Sequence, residues 1–530
     1  MASPKSESRF GRAGPAKGLP LVGPGLCFLL LAAWSSVAVW FFYRSGAILY
    51  YGDAEAHLNM ARRVLDSQTP GYDQIGRIWL PLPHLLMLPL VQVDALWRTG
   101  LAGSIPSGIC YAIAGTLLFA TARRVFGAAM PAAVSVALFA ANPNLLYLQS
   151  VPMGEAVFIA NAVAVLYFTV VFRSSGSGWA AAGAGIASSL AALTRYEGWF
   201  VIPFVAAYFL WSGKKRRVPA AAVYAALAAI GPLYWLFHNW WLTGDVLDFY
   251  RGPNSPLSIQ GLTPYPGHGN WPAAFLYYGT AATLCAGSIL MVVGLAGIVS
   301  LLLKRAFWPV FFLALPGIFY VWSIHSAAIP IYVPSLSHSY YNTRYGTAIL
   351  PLLALASGGL VAIVPGRLQI GTGVLLVALV AGYWAVRRHP EQWITWKEAS
   401  VNSEARRQWS REAAEYLKPR YIPGSGLITS FGDLTAIYRL AGIPLKETFT
   451  ADNGLVWSAT VKRPDLFLWQ EWAVAFGGDD VQSGINRAGR YGIRYRLEKS
   501  IVAGTEPVVE IYRRIGSHED SLYQSSRRQE

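Results

Sequence analysis

From about residue 19 to residue 386 the chain repeats one pattern: a long apolar run, a short polar break, then another apolar run. A helix rises about 1.5 Å per residue and the hydrocarbon core of a bilayer is about 30 Å thick, so such runs predict membrane-crossing helices. They fall near residues 19–42, 102–121, 129–148, 155–172, 179–194, 198–211, 218–240, 273–303, 307–325, 345–364 and 368–386. The expected architecture is therefore a mainly α, polytopic helical bundle of about eleven spans. The apolar stretch 78–92 is left out because Pro81, Pro83 and Pro89 interrupt it. Proline removes helix hydrogen bonds, which predicts an interfacial or re-entrant helix there.

Beyond about Arg387 the period changes. Residues 398–418 predict an amphipathic helix. The short runs "GLITS", "DLFLW", "GIRYRLEKSIV" and "PVVEIYRRI" predict strands, and "LTAIYRLAG" and "VQSGINRAGRY" predict helices between them. That alternation reads as a small α/β domain. The expected organisation is a basic tail (1–18), a membrane domain (19–386) with a long loop at 43–101, an α/β domain (387–515) and a disordered tail (516–530).

Charge sets the orientation. Lys5, Arg9, Arg12 and Lys17 precede the first run, and Arg123-Arg124, Arg173, Lys214 to Arg217, Lys304-Arg305 and Arg367 fall on the same side under this count. Cytoplasmic loops collect Lys and Arg. The N-terminus is thus expected in the cytoplasm, and the loop 43–101 and the C-terminal domain outside. The first run is too long for a cleaved signal peptide and predicts a retained span. A composition 54% hydrophobic and only 13% charged excludes an ordinary soluble protein. The net charge of +15 sits in short clusters between apolar runs, a topological use of Lys and Arg that argues against nucleic acid as a partner. Cys27, Cys110 and Cys285 all lie in apolar stretches and suggest neither disulfides nor a zinc site.

Against this background "YYGDAEAHLNMARRV", residues 50–64, gathers Asp53, Glu55, His57, Arg62 and Arg63. On a helix Asp53 and His57 stack at i, i+4, while Glu55, Asn59 and Arg62 share the neighbouring face. Carboxylates beside arginines can join a general base to an anion clamp; a solvated amphipathic helix on the membrane surface is the plainer alternative. Four further charged residues, in three places along the chain, fall on the same expected face. Glu155 opens a span, where the helix dipole alone would favour it. Arg195 and Glu197 share a turn and can pair with each other, and Arg344 enters a late span where snorkelling would serve equally.

These motifs carry a resemblance. "GDAEAH" after a first span, "ARRVLDSQTPGYDQIGRIWLPLPHLL" with its Pro-rich run, "MGEA" at a helix start and "RY" before "ILPLLAL" together resemble the GT-C superfamily of membrane glycosyltransferases. Within it the chain looks most like the bacterial glycosyltransferase family 39 type, related to protein O-mannosyltransferases and lipid A aminoarabinose transferases. The resemblance covers roughly residues 20–386. It implies an inverting transfer on the outer face of a bacterial plasma membrane, from a polyprenyl-phosphate-linked sugar to a protein, lipid or glycan acceptor. Asp53 would be the acid group that deprotonates or orients the acceptor hydroxyl, supported by Glu55 or His57, with Glu155 next in line. Arg62, Arg63, Arg195 and Arg344 are candidates to neutralise the leaving phosphate. Trp79, like Trp199, Tyr265 and Trp271, is a candidate to stack on a sugar ring or to join the interfacial aromatic belt. Asp53 and Glu55 are separated by Ala54, whereas the O-mannosyltransferases have two adjacent acids. No resident cofactor is implied, and a divalent cation, held by Asp53 or Glu155 if by any, stays open.

Three other readings compete with this one, among them a non-enzymatic assembly or scaffold protein whose outer α/β domain binds a partner. A polysaccharide ligase or polymerase would share the chemistry with another donor. A lipid or sugar flippase would place ionisable groups within its spans and often show inverted repeats; the middles of these spans are nearly free of charge.

Overall fold

The computed structural model describes residues 23–212, 217–252, 255–260, 265–326, 328–430, 432–504 and 507–515. The basic residues at 5–17, those at 214–216 and the tail 516–530 lie outside them. The chain divides into two compact units. One comprises the residues up to Gly46, Arg77–Pro83 and Gly103–Glu398; the other comprises Ala47–Gly76, His84–Ala102 and the residues from Ala399 onward.

The first unit is a bundle of apolar helices, and the chain is a multi-pass membrane protein. Among the described residues seven helices are long and apolar enough to cross a bilayer: Pro24–Arg44, Leu101–Phe126, Glu155–Ser175, Arg217–Thr243, Phe307–His325, Thr343–Ile363 and Gly366–Val386. An eighth crossing is reached if one bent pair counts as a span, so the expected eleven are not confirmed. Three expected spans are short. The run 129–148 breaks into Ala129–Ala140 and Pro143–Leu148, with Asn142 capping the second piece by accepting from the Leu145 N–H at 3.0 Å. Gly178–Ala192 has 15 residues and Glu197–Ser212 has 16, or about 24 Å at most.

The run 273–303, expected as one span, is two helices, Trp271–Ala286 and Ser288–Leu303, bent by 109° at Gly287. Gly287 has a φ of +80°, and a Cβ there would collide with the Tyr383 ring; both features demand glycine. The break frees carbonyls that lipid cannot satisfy. Asn142 and Asn144 amides meet the Cys285 carbonyl at 2.9 and 3.0 Å, and Asn144 in turn accepts from the Thr395 N–H at 3.1 Å. Small residues let the backbones close up elsewhere in the bundle: a Cβ on Gly297 would run into the Ala356 carbonyl of the helix Leu350–Ile363.

The second unit is built on a five-stranded mixed sheet of order β2-β1-β3-β5-β4. The strands are β1 (Leu427–Thr429), β2 (Thr448–Phe449), β3 (Trp472–Phe476), β4 (Arg494–Ile501) and β5 (Val509–Ile515). β1 pairs in parallel with β2 and β3, while β5 runs antiparallel to β3 and β4. Three of the four expected strands are present. "DLFLW" is a correction, since Pro464 at a first helical position starts the helix Pro464–Phe467 there. The expected helix 398–418 is divided at Ser403 into Ile394–Asn402 and Glu404–Leu417. The 78–92 stretch forms only a six-residue helix, Leu82–Met87. The core of this unit joins Leu58, Ala61 and Trp97 to Trp409, Tyr438 and Trp472, so the charged helix of the first long loop is packed into the same core as the C-terminal segment.

Candidate functional site

The stretch singled out in the sequence is the helix Gly52–Arg63, with Asp53 and Glu55 in its first turn and Arg62 and Arg63 in its last. Both ends suit the helix dipole. Its charged side chains have different fates. Glu55 is 3% exposed, and its two oxygens accept from Arg439 Nε at 2.6 Å and Nη2 at 2.8 Å. Arg439 and Arg98 each donate to the other's carbonyl, at 2.6 and 2.7 Å. Asn59 accepts from the buried Trp97 indole at 3.0 Å. Arg62 donates to Asp66 at 2.8 Å, lies 4.8 Å over the Trp97 ring and caps the Val91 carbonyl. Arg63 is buried and donates to the Gln74 carbonyl at 2.8 Å. Glu55, Asn59, Arg62 and Arg63 are thus each tied to another element of this unit.

Asp53 and His57 are only partly buried. His57 Nδ1 lies 2.6 Å from Nε2 of His84, which is 1% exposed. Burial, with the charges of His57 and Arg63, holds the His84 imidazole well below the usual histidine range.

The membrane unit gathers a second set of charges. Glu155 begins its helix, Arg195 and Glu197 flank the turn before Glu197–Ser212, and Arg344 lies on the turn Thr343–Ile349. Arg195 binds Glu197 at 2.7 Å, Glu155 at 3.2 Å and the Tyr320 hydroxyl at 2.7 Å. The expected Arg195–Glu197 pair therefore forms, within a larger net. Burial disfavours the Arg195 charge, but Glu197, Tyr320 and Glu155 outweigh it and hold the guanidinium protonated. Arg344 reaches Glu155 at 3.3 Å and Glu398 at 3.7 Å, and Glu398 also accepts the Thr343 N–H at 2.7 Å. Both guanidiniums lie over the Tyr345 ring, at 4.7 and 5.1 Å. Three carboxylates thus face two guanidiniums, all nearly withdrawn from solvent. The second oxygen of Glu155 has no hydrogen-bond partner among the described residues.

The structure thus brings Glu155, Arg195 and Arg344 together, and sets Asp53, Glu55, His57, Arg62 and Arg63 on one helix. Trp79 is half-buried in the short 77–83 stretch of the membrane unit. Asp53 and Glu155 belong to different units, and among the described residues no three His, Cys, Asp or Glu side chains gather as a metal site would. Sequence reasoning missed Glu398, Tyr320, His84 and Arg439. Arg439 was legible in principle, as a single arginine within the apolar helical run "LTAIYRLAG", where a buried charge requires a partner.

A family model described as dolichyl-phosphate-mannose-protein mannosyltransferase matches residues 96–240. No curated protein sequence matches the chain. Among solved structures, ArnT from Cupriavidus metallidurans bound to undecaprenyl phosphate aligns with a TM-score of 0.59 at 14% identity, covering 92% of this chain and 98% of that one. The same protein in the apo state aligns with a TM-score of 0.56, also at 14% identity and with the same coverage. The chain therefore has the ArnT-like GT-C fold of membrane glycosyltransferases, as the sequence resemblance implied.

Proposed function

We propose that the protein is an inverting membrane glycosyltransferase. It transfers a sugar from a polyprenyl-phosphate donor to an acceptor hydroxyl on the outer face of a bacterial plasma membrane. The observation that carries this reading is a fold shared nearly end to end with a protein crystallised on undecaprenyl phosphate. The charged groups supply matching chemistry. In such a displacement the acceptor oxygen attacks the anomeric carbon, the carbon–oxygen bond to phosphate breaks, and the hydroxyl proton must leave. An inverting mechanism needs a base for that proton and positive charge for the departing phosphate.

Asp53 is our choice of base. It is partly exposed in the first turn of its helix, whereas Glu55 on the same helix is committed to Arg439. For the phosphate we choose Arg344 over Arg195. Arg195 is held by three close partners, while the ion pairs of Arg344 are longer and cost less to exchange. Arg195 then orients Glu155, whose second oxygen can accept from a sugar hydroxyl. The test is Asp53→Asn in lipid bilayers, assayed with polyprenyl-phosphate sugars. A near-complete loss of transfer with unchanged folding supports the assignment, and full activity sinks it. A wild-type protein that turns over no polyprenyl-phosphate sugar would favour a ligase with another donor.

A further inference from the structure

One face of the five-stranded sheet changes character along its length. Val474 and its neighbour Ile511 lie on it and are buried with Trp409 and Ala413 of the helix Glu404–Leu417. Farther along, the same row on β5 continues as Arg513 and Ile515, opposite Arg496 and Arg494 of β4. The side chains of Arg496 and Arg513 are 66% and 44% exposed, and Arg494 is exposed as well. Arg513 lies 5.2 Å over the ring of the buried Trp472, its neighbour on β3. At the end of the covering helix, the Tyr416 ring has Arg420 at 4.1 Å and Lys499 at 5.7 Å.

These five cations have two carboxylates among them. Glu498 accepts from Arg496 Nε at 2.9 Å and from the Tyr416 hydroxyl at 3.0 Å, and Glu471 accepts from Arg513 Nε at 2.8 Å. Positive charge is therefore in surplus. Arg496 and Arg513 also stand directly opposite each other, an arrangement that costs a sheet stability. Charge on an edge strand deters pairing with other chains, and β4 is an edge. That reason does not reach Arg513, one strand in, or Arg420, which follows the helix. An anionic surface spread over the whole face gives all five a common use.

Chemistry narrows the choice of surface. Guanidiniums grip phosphate through paired N–H donors and keep their charge in a partly apolar setting. Beside them Ile515 is 53% exposed, and Ile422, two residues after Arg420, is 61% exposed. Cations for headgroups, with aliphatic side chains for the boundary below, are the combination that holds proteins at a bilayer interface. The chain itself carries helices that cross a bilayer.

We propose that this end of the β4–β5 face rests on anionic phospholipid headgroups of the bilayer that holds the chain. The inference needs the membrane but no glycosyl transfer, so it stands apart from the function proposed above.

The experiment is amide hydrogen exchange of the full-length protein in nanodiscs of phosphatidylcholine, with and without phosphatidylglycerol. The outward N–H groups of an edge strand exchange fast unless something covers them. With phosphatidylglycerol, exchange across residues 494–499 and 513–515 should slow roughly tenfold, and high salt should undo the change. Arg420→Gln, Arg494→Gln and Arg496→Gln combined should abolish the difference between the lipids. The matching Arg420→Lys, Arg494→Lys and Arg496→Lys variant should keep most of it. The two variants separate charge from fold, because both leave Arg513 on Trp472. Equal exchange in the two lipids overturns the proposal, and so does a slowing that the triple Gln variant retains. Slowing that needs no anionic lipid and grows with protein concentration belongs to a second copy of the chain, and overturns it too.

Discussion

The helix Gly52–Arg63 and the charged net of the membrane unit hold similar residue types in different ways. On the helix each buried charge has its own anchor on another element of its unit: Glu55 on Arg439, Arg62 on Asp66 and Trp97, Arg63 on the Gln74 carbonyl. In the membrane unit the partners are shared. One oxygen of Glu155 serves both arginines, and Arg195 serves Glu155, Glu197 and Tyr320. A separate anchor fixes the helix and leaves Asp53 and His57 partly exposed upon it. A shared net with three carboxylates for two guanidiniums can instead trade partners when an anion arrives. The first arrangement suits a rigid mount for a base, the second an adaptable receiver of charge.

The widest separation between the two should come from Asp53→Asn. Removing a general base typically costs about 10²–10⁴ in rate, and since Asp53 is only partly buried, thermal unfolding should hardly move. Next is Glu55→Ala, which leaves Arg439 buried without its carboxylate. Breaking a buried pair costs about 3–5 kcal/mol, visible as a lowered unfolding temperature. Glu55→Leu combined with Arg439→Met should recover most of that loss and also recover activity. A stable but inactive double variant would instead give Glu55 a chemical role. In the shared net, Arg344→Lys should raise the donor KM about tenfold, equivalent to about 1.4 kcal/mol, with folding intact. Arg195→Lys should act mainly on stability, through the loss of its three-way hydrogen bonding; the reverse pattern would exchange the roles given to the two arginines. The smallest effect concerns pH. The folded protein holds His84 neutral below the ordinary pKa of about 6.5. The unfolded chain then binds the extra proton first, so stability is full above about pH 6.5 and declines as pH falls toward the folded value. The slope should disappear in His84→Phe, as followed by thermal unfolding between pH 5 and 7.

Much of the fold was legible because the transfer of apolar side chains into a bilayer is decided within each helix. Hydropathy over a helix length located Pro24–Arg44, Glu155–Ser175, Phe307–His325 and Gly366–Val386 to within a few residues. What failed was set by distant partners. The bend at Gly287 depends on asparagine amides more than 140 positions away, so an uninterrupted apolar run read as one span. "DLFLW" is strand-like in composition, but the proline before it opens a helix. The charged residues themselves were visible in "GDAEAHLNMARRV" and "LTRYEGW", because charge is conspicuous in an apolar chain. Their partners were not. Arg439 meets Glu55 across 384 positions, and His84 was hidden in a proline-broken apolar run.

The bend at Gly287 also bears on how the chain is threaded during synthesis. Its two arms have 16 residues each, about 24 Å of helix apiece and less than a hydrocarbon core. Laid end to end they make one oblique crossing, and the chain beyond residue 303 emerges on the far side. Folded back as a hairpin they return the chain to the side it came from. The bend at Gly287, with two asparagines meeting the Cys285 carbonyl, is thus the place where these two arrangements diverge. A substitution there that exchanged one of these arrangements for the other would change the side of the membrane to which every later loop is delivered.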